Sequence, residues 1–410
     1  MTRTVLTRYR WAILFTAWLS FFASYFPRFA IPPLIPILMP LYSLTNTEAG
    51  MLMTGFWTAY FLMQLPAGMV SDKIGIKRTL VMMSLLIGVF CFLTGSATGY
   101  PDLLALRFIN GLTCGFMFAP GQSLILRWFG EREKTLASGL YVTAPYIGIT
   151  VPMLASPIIA LHFGSWRYAF WIFAALPILA AAMDLIVIKE PPTPKSPSKP
   201  QTFHTRGSSS TPSFSSAAKS VLKSKALWYN CLARFGIIFS TIGATSWAPK
   251  YLVSQLNFSI VNAGLVSVLL PLPGLLGAPL GGVVADRVIG RRAPSLFFGL
   301  STTGLMAIVI AFSPTIPMLV MVGFFLFGLF NAFSEAPALG MLNEFGFDRK
   351  VLGTAAGLSN FIAQIGGAVA PAMLGVVLDQ TASFVHVWMT LGMLPLVLSV
   401  FAALLARKGY

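Results

Sequence analysis

Long apolar stretches follow one another along almost the whole chain, separated by short polar loops. A helix needs about 20 mostly apolar residues to cross a lipid bilayer. By this criterion the pattern predicts twelve membrane-spanning helices, numbered spans 1 to 12 in chain order. In the first half of the chain they cover residues 11–39, 48–70, 78–98, 101–127, 135–161 and 166–188. In the second half they cover residues 227–254, 260–285, 292–312, 316–343, 350–378 and 384–406.

The longest interruption of the apolar pattern lies in the middle of the chain, at residues 189–226. It contains the run Pro-Pro-Thr-Pro-Lys-Ser-Pro-Ser-Lys-Pro and then a Ser-rich segment. Such a segment has too few apolar side chains to form a packed core, which predicts a flexible polar linker. The predicted fold is therefore an all-α membrane protein with a six-helix bundle on each side of the linker, over residues 1–188 and 227–410.

One polar loop sequence occurs twice, about half a chain apart. The first copy, residues 68–78, reads GMVSDKIGIKR, and the second, residues 282–292, reads GVVADRVIGRR. Each copy lies between two apolar spans and carries an aspartate, Asp72 in the first and Asp286 in the second. A repeat of this length predicts two pseudo-symmetric units, an arrangement found in many membrane transporters.

Composition excludes several classes of protein. The chain is 56% hydrophobic and 10% charged, whereas soluble proteins contain about 25% charged residues. Its three cysteines, Cys91, Cys114 and Cys231, all lie in apolar spans, so we expect free thiols. The sequence contains no histidine cluster with metal-ligand spacing, no P-loop, no dinucleotide-binding loop and no hydrolase motif. It therefore predicts neither an enzyme nor a metal or other cofactor.

The positions of the basic residues predict the orientation in the membrane. Of the 28 Lys and Arg, 23 lie at the two termini, in the central linker and in the loops after even-numbered spans. Because Lys and Arg concentrate on the cytoplasmic side, both termini and the linker are predicted to be cytoplasmic. The expected location is the cell membrane, and the protein is expected to be a monomer. The net charge of +16 then reflects topology and contact with anionic lipid headgroups, and nucleic acid is not an expected partner.

Five basic residues lie outside those loops. Arg167 and Lys250 are near the predicted outer ends of their spans, where their side chains reach water. Arg28, Arg107 and Arg234 lie deeper, where a charged side chain costs about 2.5–3.5 kcal/mol on insertion scales. Such residues are retained where a cavity, water or a counter-charge compensates for that cost.

Arg28 and Arg107 are the candidate ligands of an anionic substrate. At a rise of 1.5 Å per residue, Arg28 lies about 18 Å and Arg107 about 9 Å from the outer ends of spans 1 and 4, so both reach a central to outer cavity. A guanidinium binds carboxylate or phosphate through two parallel hydrogen bonds. The alternative for Arg107 is packing against the carbonyl groups of neighbouring helices.

Other polar side chains on the span faces extend this candidate site. Residues at helical spacing share a face, where they either contact a ligand or join neighbouring helices. Trp57 shares such a face with two candidates on span 2. The candidates are Tyr25, Tyr60 and Gln64 in the first half and Thr241, Thr245, Asn360 and Gln364 in the second.

Glu335 is the candidate proton carrier. It lies about 12 Å from the inner end of span 10, and Arg234 lies about 9 Å from the inner end of span 7, so the two side chains are expected to pair. A pair that opens and closes predicts proton-coupled transport, whereas a static pair predicts a uniporter or an exchanger. Asp184, at the inner end of span 6, is expected to be solvated.

The repeated loops supply candidate gating residues. Asp72 and Asp286 lie at the cytoplasmic ends of spans 2 and 8, where each is expected to meet basic side chains or the positive end of a helix. The alternative is that they only fix the topology. The remaining members of the predicted network are Arg78, Arg292, Glu131 and Arg132.

Both loop motifs resemble the cytoplasmic loop motif of the major facilitator superfamily. The first copy keeps the glycine of that motif, Gly75, but has Ile76 where an arginine is usual; the second has one extra residue before Gly290. The resemblance implies two six-helix bundles with a substrate site between them and transport by alternating access. It also implies that the charge networks close the inner side of the protein.

Spans 1 to 4 resemble the anion:cation symporter branch of this superfamily. The matching residues are 24–28 (SYFPR), 60–68 (YFLMQLPAG) and Arg107 with Phe108 and Gly111. The resemblance implies that Arg28 binds the anion. The chain departs from the branch at two acidic positions that proton coupling uses, where it has Pro27 and Cys114.

The resulting prediction is a secondary active transporter of a small organic anion that bears carboxylate or phosphate, coupled to protons. Two alternatives remain: an exporter or facilitator of neutral or cationic amphiphiles, and a membrane sensor for a nutrient. The drug-antiporter motif Gly-Pro-x-x-Gly-Gly of span 5 is absent, and residues 144–148 read APYIG instead. That difference disfavours proton-driven drug export.

Overall fold

A computed structural model of the protein describes residues 3–130, 133–189, 221–313, 315–347 and 349–410. Helices account for the regular structure throughout these ranges. Ten of the described helical segments are long and apolar enough to cross a bilayer, which confirms ten of the predicted spans. Most of the predicted linker, from residue 190 to residue 220, lies outside the described ranges.

Span 1 is broken into short helices by its prolines. A proline has no amide proton, so Pro32 cannot donate the helical hydrogen bond that the carbonyl of Arg28 would accept four residues earlier. The chain continues through a 3₁₀ turn, and two of its carbonyl groups are left for other donors. The segments are Arg3–Ala23, Tyr25–Phe29, Pro32–Leu34 and Ile35–Tyr42.

The other spans of the first half begin and end at residues that favour helix termini. Span 2 starts with a capping box, in which the Glu48 amide donates to Thr45 Oγ1 and the Thr45 amide donates to Glu48 Oε2. Span 2 ends at Gly75, whose φ of +93° glycine adopts readily. The helices are Asn46–Ile74, Ile76–Gly95, Tyr100–Cys114, Phe118–Trp128, Lys134–Tyr141, Ala144–His162 and Arg167–Val187.

Span 8 is the most interrupted element of the second half. Its helix stops at Ser267 and resumes at Gly274, because Pro271 and Pro273 lie between them. Gly290 ends it with a φ of +70°, so the second glycine of each repeated loop, Gly75 or Gly290, has a positive φ. The helices are Lys225–Leu256, Ile260–Ser267, Gly274–Val283, Val284–Ile289 (a π-helical turn), Arg292–Ala311, Pro317–Gly340, Met341–Asn343 (3₁₀), Arg349–Thr381 and Phe384–Arg407.

Spans 2 and 8 are the two predicted spans that are not among the ten. Span 2 is a single helix of 29 residues, which at 1.5 Å per residue is long enough to cross a bilayer, but its apolar run is diluted by threonine, tyrosine and glutamine. Span 8 is divided by its proline-containing turn. For these two segments, membrane crossing therefore stays a prediction.

Small residues let helices approach closely at equivalent places in the two halves. A Cβ on Gly88 of span 3 would lie 3.0 Å from the carbonyl oxygen of Ala174 on span 6. A Cβ on Gly304 of span 9 would lie 2.6 Å from the carbonyl oxygen of Gly392 on span 12. Close approach through small residues is the usual way in which membrane helices gain packing energy. The pairs 3–6 and 9–12 correspond to each other in a repeated six-span unit.

The two halves meet tightly at the end that the charge pattern predicts to face outward, called the outer end. Asp379 of span 11 accepts hydrogen bonds from the amides of Asn46 and Thr47, at 3.0 and 2.8 Å. These amides begin span 2, so the carboxylate also faces the positive end of that helix. The Lys250 ammonium donates to the Asn46 side chain, and the Ala372 amide donates to Thr54 at 3.1 Å. The described inter-half hydrogen bonds therefore close the outer end.

We expect Gly375→Ala to weaken closure of the outer end. The new Cβ would lie 2.5 Å from the carbonyl oxygen of Asn46, and a backbone atom cannot move aside as a side chain can. Overpacking of this kind costs about 1–3 kcal/mol. Spin labels at the exposed positions Leu41 and Thr381 should report longer distances in this variant. Gly357→Ala, on the same helix with no atom near its Cβ, is the control; equal distance distributions in both variants would refute the prediction.

Candidate functional site

A cavity of about 320 Å³ lies between the two halves. Spans 1, 2 and 5 line it from the first half, and spans 7, 8, 10 and 11 line it from the second. Ligand sites in proteins usually measure about 300–1,000 Å³, so this cavity fits a small molecule. Seven of the predicted substrate or proton residues line it: Tyr25, Arg28, Tyr60, Thr241, Thr245, Glu335 and Gln364.

Arg28 places an unpaired positive charge in the cavity wall. The residue is 2% exposed, and its Nε and Nη2 atoms have no hydrogen-bond partner. Its guanidinium carbon lies 4.1 Å from the ring centre of Tyr25 and 4.3 Å from that of Tyr60. Aromatic faces attract a cation electrostatically, but they do not replace the strong hydrogen bonds that an anion accepts from it. Two buried guanidinium nitrogens therefore carry N–H groups that an anionic ligand could satisfy.

Arg107 is not among the residues that line the cavity, and its role as a substrate ligand stays a prediction. Its Nε donates to the carbonyl of Leu52 at 3.2 Å, and its Nη2 donates to the carbonyl of Arg28 at 3.3 Å. Its Nη1 donates to the carbonyl of Pro27. The guanidinium thus supplies donors to the carbonyls at the proline break of span 1. Arg107 positions the backbone that carries Arg28, as the alternative of packing against carbonyls had suggested.

Aromatic side chains form the rest of the first-half wall. Trp57 lies edge-to-face with Tyr60, with ring centres 5.5 Å apart, and both line the cavity. Tyr146 of span 5 also lines it and packs against Gly274 of span 8, where a Cβ would overlap its ring. Tyr146 was not among the predicted site residues, although it stands in the APYIG segment of span 5. An aromatic residue next to a proline in a membrane helix is the signal that could have identified it.

The polar groups of the second-half wall are largely hydrogen-bonded to one another. The Thr241 hydroxyl donates to Asn331 Oδ1 at 2.7 Å, and the Asn331 amide donates to the carbonyl of Ile237 at 3.3 Å. The Thr245 hydroxyl donates to the carbonyl of Thr241 at 2.6 Å. The Oε1 atom of Gln364 is buried without a partner. Asn331 was missed as a site residue, although it lies one turn before Glu335.

Gln64 and Asn360 are not among the residues that line the cavity, and their contact with the substrate stays a prediction. Each was predicted from the helical spacing that it shares with Tyr60 or Gln364. That spacing places them on the correct helix faces. The cavity, however, ends within one turn of those residues, and the extent of a cavity along a helix is not encoded in spacing.

Arg234 and Glu335 form the predicted ion pair, with Nη2 and Oε1 2.7 Å apart. The Arg234 side chain is 3% exposed and the Glu335 side chain is 25% exposed. A second nitrogen of Arg234 donates to the Ser359 hydroxyl at 3.1 Å, and this hydroxyl donates to Asn230 at 3.2 Å. Glu335 lines the cavity, and its Oε2 has no partner. The contact is confirmed, whereas a role in proton coupling stays a prediction.

Asp184 is buried rather than solvated, which corrects the expectation for the inner end of span 6. Its Oδ2 accepts hydrogen bonds from the hydroxyls of Ser20 and Ser84, at 2.6 and 3.5 Å. Its Oδ1 has no partner, and Asp184 is not among the residues that line the cavity. The surrounding spans 1, 3 and 6 cover it because its helix faces the bundle core at this level.

Asp286 pairs with Arg292, as predicted, whereas the partners Glu344 and Arg127 were not identified from the sequence. Asp286 lies 3.0 Å from Arg292, which also contacts Glu344 at 2.8 Å. Asp72 lies 3.8 Å from Arg127, while Arg78 is exposed. The predicted members Glu131 and Arg132 lie outside the described residues. The gating role of this network stays a prediction.

The sequence profile of the Major Facilitator Superfamily matches residues 17–371 and 251–409. A probable sulfoacetate transporter of Cupriavidus necator is 26% identical over 400 residues, which cover 94% of this chain and 90% of that protein. A hexuronate transporter of Bacillus subtilis is 23% identical over 394 residues, with coverage of 93% and 90%. A glycerol-3-phosphate transporter of the same species is 26% identical over 360 residues, with coverage of 82% and 79%.

The fold is similar to that of a solved membrane transporter. The crystal structure of a bacterial homologue of the human lysosomal transporter Spinster, inward-facing and unoccupied, superimposes with a TM-score of 0.79. The match covers 97% of this chain and 96% of that one at 16% identity. The similarity extends over both halves of the chain, as the all-helical prediction required.

We expect Arg28→Met and Arg107→Met to change thermal stability in opposite directions. Loss of Arg107 leaves the carbonyls of Pro27 and Arg28 without this donor, at a cost of about 1–3 kcal/mol for each unsatisfied group. Loss of Arg28 removes a buried charge whose Nε and Nη2 have no hydrogen-bond partner, so the melting temperature of Arg28→Met in detergent should stay equal to or exceed that of the wild type. Melting temperatures of the purified variants test this order, and a comparable decrease in both would contradict it.

Proposed function

Since the chain belongs to the Major Facilitator Superfamily, we propose that it is a secondary active transporter of a small organic anion that works by alternating access. The observation that carries the proposal is the buried guanidinium of Arg28, whose Nε and Nη2 have no partner and which faces the cavity between the halves. Relatives over most of the chain are named as carriers of sulfoacetate, hexuronate and glycerol 3-phosphate, which are organic anions. Their names support an anion in this site.

Alternating access explains why the site lies where the halves meet. A substrate bound between two rigid bundles is exposed to one side of the membrane at a time as the bundles rock about it. The closed outer end, with Asp379 capping span 2, agrees with the half of the cycle that is open to the cytoplasm. The predicted orientation, with both termini and the linker in the cytoplasm of a monomer in the cell membrane, is part of the proposal.

Substrate charge supplies part of the binding energy. An anion at Arg28 satisfies N–H donors that are otherwise unpaired and neutralises a charge that is costly to bury. A neutral amphiphile would satisfy those donors less well, and a cationic one would be repelled. The unpaired guanidinium therefore favours an anion over the alternative substrates of an amphiphile exporter.

Proton coupling is the finer part of the proposal, and it rests on the Arg234–Glu335 pair. Glu335 reaches the cavity while its partner is buried. If the pair separates during the cycle, Glu335 takes up a proton on one side and releases it on the other, so the proton gradient drives accumulation. If the pair stays closed, the protein is a uniporter or an exchanger.

The anion-binding role predicts that Arg28→Ala abolishes uptake of anions into proteoliposomes. The panel comprises radiolabelled sulfoacetate, glucuronate, glycerol 3-phosphate and benzoate, with ethidium efflux as the competing assay. Arg28→Lys should also be poor, because one ammonium lacks the planar pair of donors. Arg407→Ala removes the same charge at an exposed position and should leave uptake unchanged. An anion transported with unchanged affinity by Arg28→Ala would exclude this residue from the site.

The coupling role predicts separate effects of Glu335→Gln on two activities. Accumulation driven by a pH gradient should disappear, because glutamine does not carry the proton, whereas exchange at equal substrate concentrations should survive. Glu48→Gln makes the same chemical change at the start of span 2, where glutamine also completes a capping box; it should retain both activities. Gradient-driven accumulation that persists in Glu335→Gln would rule out the coupling role.

A further inference from the structure

The cavity holds one uncompensated charge. Among the described residues that line it, Arg28 is the one arginine or lysine and Glu335 is the one carboxylate. Glu335 is paired with Arg234 at 2.7 Å, so this pair contributes no net charge to the wall. Arg107 lies outside the lining with its donors on backbone carbonyls. The electrostatic complement of this arrangement is a ligand with a single negative charge.

A second negative charge on the ligand has no partner in this cavity. Arg28 belongs to the first half, and the opposite half presents Glu335, whose Oε2 is buried without a hydrogen bond. A dianion bound through Arg28 would extend its second carboxylate toward that carboxylate or into apolar wall. Burying a charge without a counter-charge is strongly unfavourable. The cavity thus discriminates against dianions through the place where the second carboxylate would lie as well as through the total charge of the wall.

The walls between these charged groups are mostly apolar. The hydroxyl and amide groups of Thr241, Thr245 and Asn331 are engaged with one another and with backbone carbonyls. Gln364, whose Oε1 has no partner, and three tyrosines add only a few further polar groups to the lining. A polyhydroxylated ligand would have to leave several of its own hydroxyls unpaired, which a site of this kind rejects. The apolar lining includes Phe29, Ile149, Ile237, Ile238, Ile242 and Phe327.

We propose that the preferred substrate is a monoanion with an apolar body, such as an aryl or alkyl carboxylate, bound with its carboxylate at Arg28. This inference rests on the proposed function as an anion transporter and narrows its substrate class. The carboxylate satisfies the free donors of Arg28, and the body displaces water from the aliphatic and aromatic wall. The single charge leaves the Arg234–Glu335 pair undisturbed.

Two matched pairs of ligands separate charge from polarity. Benzoate and terephthalate share a ring and differ by one carboxylate; hexanoate and gluconate share six carbons and one carboxylate but differ in their hydroxyls. Isothermal titration of the full-length protein in lipid nanodiscs measures each affinity. We expect benzoate and hexanoate to bind about tenfold or more tightly than their partners, since one mismatched group of this kind commonly shifts affinity by at least that factor. Arg28→Ala should abolish the binding of both.

Changing the charge of the Arg234–Glu335 pair should change the relative affinity for benzoate and terephthalate. Glu335→Gln leaves Arg234 without its counter-charge beside the cavity, so the affinity ratio should shift toward terephthalate. The double variant Arg234→Gln/Glu335→Gln removes both charges and should restore the wild-type preference for benzoate. If either variant fails to fold, the wild-type comparison of the matched pairs still decides the inference.

The monoanion inference and the proposed function as an anion transporter are overturned by different results. Binding of terephthalate or gluconate as tight as that of its partner and dependent on Arg28 would overturn the monoanion inference and leave anion transport standing. Failure of both benzoate and hexanoate to bind at millimolar concentration would also overturn it. Neutral benzamide binding as tightly as benzoate, with both unaffected by Arg28→Ala, would overturn the proposed function itself.

Discussion

The site depends on the hydrogen bonds from the Arg107 guanidinium to the broken backbone of span 1. Pro32 lacks the amide proton that would occupy the carbonyl of Arg28, and Arg107 supplies a donor to that carbonyl and to the preceding one. One charged side chain therefore stabilises a break that would otherwise leave polar groups exposed to an apolar environment. With the backbone fixed in this way, the side chain of Arg28 projects into the cavity. Its guanidinium lies beside the rings of Tyr25 and Tyr60, and its Nε and Nη2 atoms have no hydrogen-bond partner.

The two halves of the cavity wall differ in the charged group that each presents and in whether that group is paired. The first half presents a guanidinium whose donors are unsatisfied, and the second presents a carboxylate whose charge is already neutralised by Arg234. Closure at the outer end uses a third arrangement, a carboxylate on the amides that begin span 2. The described hydrogen bonds between the halves are therefore concentrated away from the cavity. A charged ligand at Arg28 can shift the equilibrium between the conformations of the transport cycle only if it binds those conformations with different affinity.

The sequence predicted those features that depend on local chemistry. Apolar length identified ten of the spans, and depth in a span identified Arg28 and the Arg234–Glu335 pair. It did not predict the role of Arg107, because the missing donor at Pro32 is visible in the sequence but the residue that replaces it is not. Helical spacing gave the faces of Gln64 and Asn360 without the limits of the cavity. Asp184 was misjudged because distance from a helix end does not reveal which neighbouring spans cover a side chain.

The charge of the substrate and the state of Glu335 constrain each other. While Glu335 is ionised, it neutralises Arg234, and Arg28 alone attracts the ligand. If Glu335 accepts a proton, Arg234 loses its counter-charge, so a cation appears near the cavity and the site becomes more favourable for an anion. Protonation and anion binding then reinforce each other, which is the thermodynamic condition for symport, since linkage between two ligands is reciprocal. If one proton accompanies one monoanion, their charges cancel, and the pH gradient rather than the membrane potential supplies the driving force.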